Sequence, residues 1–273
     1  INFSKLKENG INRISFGVQS LNDEELQFLG RVHNATLAKE TIKEAKNYFN
    51  NINVDLIFSL PIQTINSLES TLEQVLELDV QHISAYSLVF EEGTKLYNLF
   101  KNNQIKAKDN DEDAFFYNYI ANKLKTAGFV HYEVSNFAKS GFECKHNLIY
   151  WEHKEYLGIG AAAYSFVDGR RFHNIKDVEK YCYLIENGFS PIKQTETLSE
   201  ENIYTEKIFL GLRSTGIDFS MLSKEQQKFC KTIVDRELAS IQIMNNKKIL
   251  KLNSNGYFIC DEITLKLLEA SSK

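Results

Sequence analysis

Three stretches of this sequence gather side chains able to do chemistry. Ile11–Ser20 reads Ile-Asn-Arg-Ile-Ser-Phe-Gly-Val-Gln-Ser, with Ile14, Phe16 and Val18 alternating against Ser15, Gly17 and Gln19. A period of two predicts a β-strand with one oily face. The other face is small or polar and ends in the Gln19 amide. It either meets solvent at a sheet edge or leaves room for a ligand at the strand's C-terminal end, where α/β barrels bind. In Ile52–Leu60, Val54, Leu56 and Phe58 share one face, and Asn53, Asp55 and Ile57 share the other. A carboxylate in mid-strand is costly to bury without a partner. Asp55 is therefore a solvated edge residue or an inward acceptor for a ligand's hydrogen bonds. The third stretch, His146-Asn147-Leu148-Ile149-Tyr150-Trp151, sets an imidazole, an amide and two aromatic rings close together. It reads as a capped turn whose aromatics drop into the core, or as a binding site. Beyond it, Gly158-Ile159-Gly160 lets the backbone approach closely either a ligand or a packed neighbour.

Cys144, Cys182, Cys230 and Cys260 form no Cys-x-x-Cys pair, so the sequence carries no local zinc or iron–sulfur signature. In a chain of 273 residues that is 43% apolar, a core needs no disulfide staples, and reduced cysteines in a cytoplasmic protein are expected. The net charge of −4 argues against nucleic acid as the main partner. No apolar run reaches the length that spans a bilayer, and no signal peptide is visible. The chain starts at Ile1 rather than Met, with the strand–helix rhythm already under way, so an upstream segment is expected.

The elements that would position these residues follow a β–α rhythm. Helical spacing predicts helices over 21–50, interrupted at Gly30-Arg31, then over 64–78 and 111–127. Strands are predicted at 52–60, 81–90 and 129–136, which implies a parallel sheet with right-handed crossovers. After Pro191, helices are expected over 201–212, 220–231 and 234–244. Asn253-Ser254-Asn255-Gly256 reads as the turn of a hairpin over 247–260. This tail reads as a small winged-helix-like domain. Its mixed charge suits a docking or lid module better than a DNA reader.

Together these pieces resemble the oxygen-independent coproporphyrinogen III oxidase family of the radical SAM superfamily. The resemblance rests on Gly10–Ser20, Leu29–Asn34, Val54–Thr64, His82–Tyr86, His146–Trp151 and Leu157–Ala163, and it spans residues 5 to 265. It implies an α/β fold: a partial (β/α)6 barrel over residues 1–190, N-terminally truncated, then a helical, winged-helix-like domain over 196–268. It also implies that Gln19, Arg31 and Asp55 contact S-adenosylmethionine, with Val89 and Tyr164 near the adenosine. Asp55 would accept from ribose hydroxyls or the amino group, and Arg31 would face the carboxylate. The family's [4Fe–4S] cluster needs Cys-x-x-x-Cys-x-x-Cys, from which a 5′-deoxyadenosyl radical is generated. That motif is absent here, so the cluster ligands are expected upstream.

One branch of the family decarboxylates coproporphyrinogen III, and the other binds heme and hands it to acceptor proteins. Leu29-Gly30-Arg31-Val32-His33-Asn34, the Glu91-Glu92-Gly93-Thr94 turn and the His146–Trp151 run are similar to the chaperone branch. That resemblance implies heme contacts by His146, Asn147, Tyr150 and Trp151, with His146 a candidate axial ligand. Its implied partners are heme or porphyrin, heme-accepting proteins including membrane-associated ones, and a second copy of the chain. An oxidase on coproporphyrinogen III is the alternative within the family. An unrelated barrel hydrolase or lyase using Asp55 as acid/base is the alternative outside it.

Overall fold

The computed structural model describes residues 1–270. They form two compact units, divided along the chain between Glu143 and Cys144.

The first unit opens with α1 (Phe3–Glu8), followed by β1 (Ile14–Gln19), α2 (Asp23–Phe28), α3 (Ala35–Ala45) and β2 (Ile52–Phe58). It continues with α4 (Ile65–Glu77), β3 (His82–Ser87), α5 (Lys95–Lys101), α6 (Asn110–Thr126), β4 (Val130–Glu133) and β5 (Asn136–Ala138). Its sheet has the order β1-β2-β3-β5-β4. β1, β2 and β3 run parallel, as the β–α rhythm predicts, and β1 stands at the margin with β2 as its strand partner. The predicted fourth strand over 129–136 is instead two short strands. β5 pairs antiparallel with both β3 and β4, so the sheet is mixed rather than wholly parallel. The 133–136 segment turns back after only four residues of β4, which leaves no length for a crossover helix.

Helix starts follow their caps. Asn22, Asn34, Thr64 and Asp109 accept from the first-turn amides of α2, α3, α4 and α6, and Thr64 and Asp109 do so within reciprocal capping boxes. Ile42 on α3, Leu68, Leu72 and Val75 on α4, and Val54, Leu56 and Phe58 on β2 are all fully buried. Burying side chains of this size contributes about 1.5–3 kcal/mol each.

The second unit comprises α7 (Lys145–Trp151), β6 (Tyr164–Val167), β7 (Arg170–Asn174), α8 (Val178–Glu186), β8 (Ile192–Thr197), α9 (Glu200–Leu212) and β9 (Ile217–Asp218). After a 3-10 turn over Phe219–Met221 come α10 (Lys224–Asp235), β10 (Ala239–Met244), β11 (Lys247–Leu252), α11 (Ser254–Phe258) and α12 (Cys260–Glu269). Two three-stranded antiparallel sheets result, β6-β7-β8 and β10-β11-β9. Two expectations are corrected here. The predicted helix over 234–244 ends at Asp235, and Ala239–Met244 is a strand, as the alternation of Ile241 and Ile243 with Ser240 and Gln242 allows. The hairpin turn lies at Asn245–Asn246, whose φ angles of +49° and +61° are left-handed. Asn253 instead caps α11, its side chain accepting from Asn255 and Gly256 N–H. Among the described residues no helix is long and apolar enough to cross a membrane.

Candidate functional site

The parallel register sets Gly17 beside Asp55 and Asp55 beside Ser84. Ser15, Asn53 and His82 form the row behind. The face shared by these residues is therefore polar on three successive strands. Asn53 organises it. Its Nδ2 donates to Ser15 Oγ at 2.7 Å, to Asp55 Oδ1 at 2.6 Å and to Ser84 Oγ at 3.1 Å. Its Oδ1 lies 2.6 Å from His82 Nδ1, and His82 Nε2 lies 2.8 Å from the Tyr132 hydroxyl. Ser15 Oγ donates to the other Asp55 oxygen at 3.0 Å. Asp55 is thus an inward carboxylate held by two donors and half-buried, with lone pairs left for a ligand.

Burial, with the nearby Arg13 charge, pushes His82 down to about 3, so the ring is neutral at pH 7. At the far end of the face, Glu133 is buried and pairs with Asn136, and burial pushes its carboxyl up to about 7. Tyr86 bonds to Ser84 and Asn136 near the Asp55 and Glu133 charges, and burial raises its hydroxyl. Asn53, His82, Ser84, Tyr132, Glu133 and Asn136 are functional candidates that the sequence reading does not single out. The period-two row His82, Ser84, Tyr86 is the signal that could have found three members of this face.

Gln19 ends β1 in a left-handed conformation, φ +70°, and its amide folds back over Gly17, where a Cβ would come within 2.8 Å of Nε2. A non-glycine residue held at such an angle costs about 1–3 kcal/mol and survives only where its surroundings fix it. Those surroundings are built on Glu25, fully buried on α2. Its carboxylate accepts from Ser20 Oγ at 2.6 Å, Gln63 Nε2 at 3.0 Å and Ser67 Oγ at 2.6 Å. The end of β1, the loop after β2 and the start of α4 are thereby tied to one charge. A similar tie joins the ends of β2 and β3. Ser59, also left-handed at φ +60°, and Ser87 both donate to Asp113 Oδ1 of α6, at 2.5 and 2.8 Å. Arg31 is exposed in the turn after α2, and Val89 is exposed on the loop after β3. The structure thus brings Gln19 and Asp55 together around Gly17, with Arg31 and Val89 on loops.

In the second unit, α7 separates its aromatic residues. His146 and Tyr150 share one face at i, i+4, with Tyr150 OH 3.2 Å from His146 Nε2, and Tyr150 packs edge-on against Tyr156 at 4.6 Å. Asn147 accepts from Cys144 Sγ. Trp151 lines a different cavity, of about 240 Å³, with His153, Lys207, Gly211 and Asp218, and its Nε1 is buried without a partner. Tyr164 is half-exposed on β6 beside His173. Gly158 packs against the Tyr164 carbonyl, where no Cβ fits, so its close approach is to the chain's own strand.

The cysteines do not fit an iron–sulfur cluster. Cys144, Cys230 and Cys260 are buried and Cys182 is exposed, and among the described residues no three metal-binding side chains converge. Burial pushes the Cys230 thiol up to about 12 and raises that of Cys260, whereas a ligand must be a thiolate.

Comparison with known proteins bears on the family and the fold. The Radical SAM superfamily profile matches residues 2–75. The "Heme chaperone HemW" of Bacillus subtilis is 41% identical over 213 residues, covering 77% of this chain and 56% of that protein. HemW of Mycobacterium tuberculosis is 30% identical over 271 residues, covering 97% of this chain and 68% of that protein. The solved structure of coproporphyrinogen III oxidase (HemN) from Escherichia coli, a radical SAM enzyme, superposes with a TM-score of 0.73 at 18% identity. That superposition covers 97% of this chain and 66% of the oxidase, and at this identity the likeness is one of fold. The class defined by fold and sequence is that of the radical SAM proteins, in an α/β fold like that of the oxidase. Within it, the chain belongs to the HemW family, and it spans little more than half the length of the Bacillus relative.

Proposed function

We propose that this chain is part of a heme chaperone that binds S-adenosylmethionine on the polar face of β1–β3 and heme on the second unit. The observation that carries the first half is the Asp55 carboxylate, oriented by Ser15 and Asn53 beside Gly17. An adenosine ribose or an ammonium group offers the donors this carboxylate lacks. Gln19 supplies an amide beside it, Arg31 the cation for the methionine carboxylate, and Val89 a contact toward the adenosine. S-adenosylmethionine, when bound, brings a sulfonium whose cleavage yields a carbon radical; no residue described here holds the cluster that such cleavage needs.

For heme, His146, Asn147, Tyr150 and Trp151 are the candidates, the aromatic rings serving as flat apolar walls. Support comes from the family and from the exposed His146–Tyr150 pair. The cargo would pass to heme-accepting proteins, membrane-associated ones included, from a cytoplasmic chaperone able to pair with a second copy. In this reading residues 1–190 belong to a partial (β/α)6 barrel and 196–268 to a winged-helix-like C-terminal domain.

The test takes the protein as it occurs in its source, reconstituted anaerobically with iron and sulfide, and incubates it with S-adenosylmethionine, reductant and coproporphyrinogen III. Stoichiometric hemin binding with no protoporphyrinogen is the expected result. Formation of protoporphyrinogen would make it the oxidase.

A further inference from the structure

A polar hydrogen kept from water and left unpaired is costly, so a buried donor without an acceptor marks a place where a partner belongs. Among the described residues of the second unit, the indole N–H of Trp151 is the only buried side-chain polar atom with no hydrogen-bond partner. Trp151 ends α7 and lines the cavity of about 240 Å³ that it shares with residues of α9 and β9.

Charge decides what that partner can be. Lys207 of α9 lines the same cavity, is exposed, and among the described residues has neither an ion-pair nor a hydrogen-bond partner. The other charged side chains of the lining are already matched. Asp218 accepts from Ser220 Oγ at 2.6 Å and lies 2.9 Å from Lys247 Nζ. Glu152 pairs with Lys154, and His153 Nε2 lies 2.9 Å from the Glu206 carboxylate. Where the chain turns beneath them, Gly216 N–H donates to the Gly211 carbonyl at 2.8 Å. One neutral donor and one cation are left open. A carboxylate answers both, because its two oxygens accept separate bonds and charge-assisted ones are the strong ones. The Trp151 ring, Ile217 and Met221 supply apolar wall, which calls for an apolar body behind the carboxylate. The volume falls below the range of about 300–1,000 Å³ typical of drug-sized ligands, so the occupant is small.

We propose that this cavity binds a small carboxylate with an apolar body, its oxygens taken by the Trp151 indole N–H and the Lys207 ammonium. The inference goes beyond the heme reading and is independent of it. It concerns the N–H edge of the indole and needs no hemin.

Trp151 is the only tryptophan of the chain, so its fluorescence reports this cavity alone. The test titrates hexanoate into the protein, with hexanamide as the neutral counterpart and sodium chloride at matched ionic strength. A saturable change in Trp151 emission with hexanoate, and none with the other two, is the expected result. Lys207→Met should weaken hexanoate binding about tenfold or more, as loss of a hydrogen bond to a charged group does, and Lys207→Arg should retain it. Lys207 is exposed, so neither substitution opens the core. Trp151→Phe keeps the ring wall without the N–H and should show a similar loss by calorimetry. The absence of a saturable change, an equal response to hexanamide, or parent affinity in Lys207→Met or Trp151→Phe overturns the inference.

Discussion

At the scale of single residues, Asp55 and Glu133 are two carboxyl groups on one face with opposite environments. Asp55 accepts from Ser15 and Asn53 and stays half-open. Replacing it with alanine should weaken S-adenosylmethionine binding by about 1.5–3 kcal/mol, the worth of a hydrogen bond to a charged group. Calorimetric titration of the reconstituted protein measures this, and unchanged affinity would remove Asp55 from the site. Glu133 is buried, and its carboxyl rises from 4.5 to about 7 on folding. The folded state therefore holds the extra proton between these values, and stability falls as pH rises through that window. His82 acts in the opposite sense, because its folded value of about 3 lies below 6.5. Its contribution is lost as pH falls from 6.5 toward 3. Glu133→Gln should abolish the alkaline-side loss, so its stability relative to the parent should grow by up to about 3 kcal/mol between pH 4 and pH 8. Urea unfolding at a series of pH values reads this directly. A difference that does not vary with pH would assign the titration elsewhere.

At the scale of elements, what the sequence discloses depends on how local the cause is. The β1 and β2 faces are legible because alternation is a property of adjacent residues. The Asn53–His82–Tyr132 chain is not, since it depends on β5 and β4 folding back antiparallel beside β3. Asn253-Ser254-Asn255-Gly256 misleads for a related reason. An asparagine side chain serves equally in a hairpin turn and at a helix start, and here it caps α11. The placement of His146 away from Trp151 follows from helix geometry, which splits residues five apart onto different faces.

The Asp113 tie gives an element-scale prediction. Ser59 and Ser87 share one acceptor oxygen, so neither bond is independent of the other. Ser59→Ala and Ser87→Ala should each cost about 0.5–1.5 kcal/mol. The double variant should depart from the sum by at least about 0.5 kcal/mol, as groups in one network do. Additive unfolding free energies would show that the two strand ends are held separately.

At the scale of the molecule, the chain spans little more than half the length of its Bacillus relative. No set of cysteines converges among the described residues, and two buried thiols are pushed away from the thiolate form. This chain alone, treated anaerobically with iron and sulfide, should therefore retain no stoichiometric iron and develop no broad cluster absorption in the visible. Stoichiometric iron with that band would mean that the cysteines can rearrange to meet. The same chain carries another trait into solution. β1 has β2 on one side and ends the sheet on the other, and its Phe16 and Val18 line a groove with His33 and Leu37. A strand with one margin of N–H and C=O groups unclaimed by the sheet is a template for another chain. When this chain is handled alone, its association should rise with protein concentration and fall when charge is placed along Ile14–Gln19, which sedimentation of the parent and the charged variants would read.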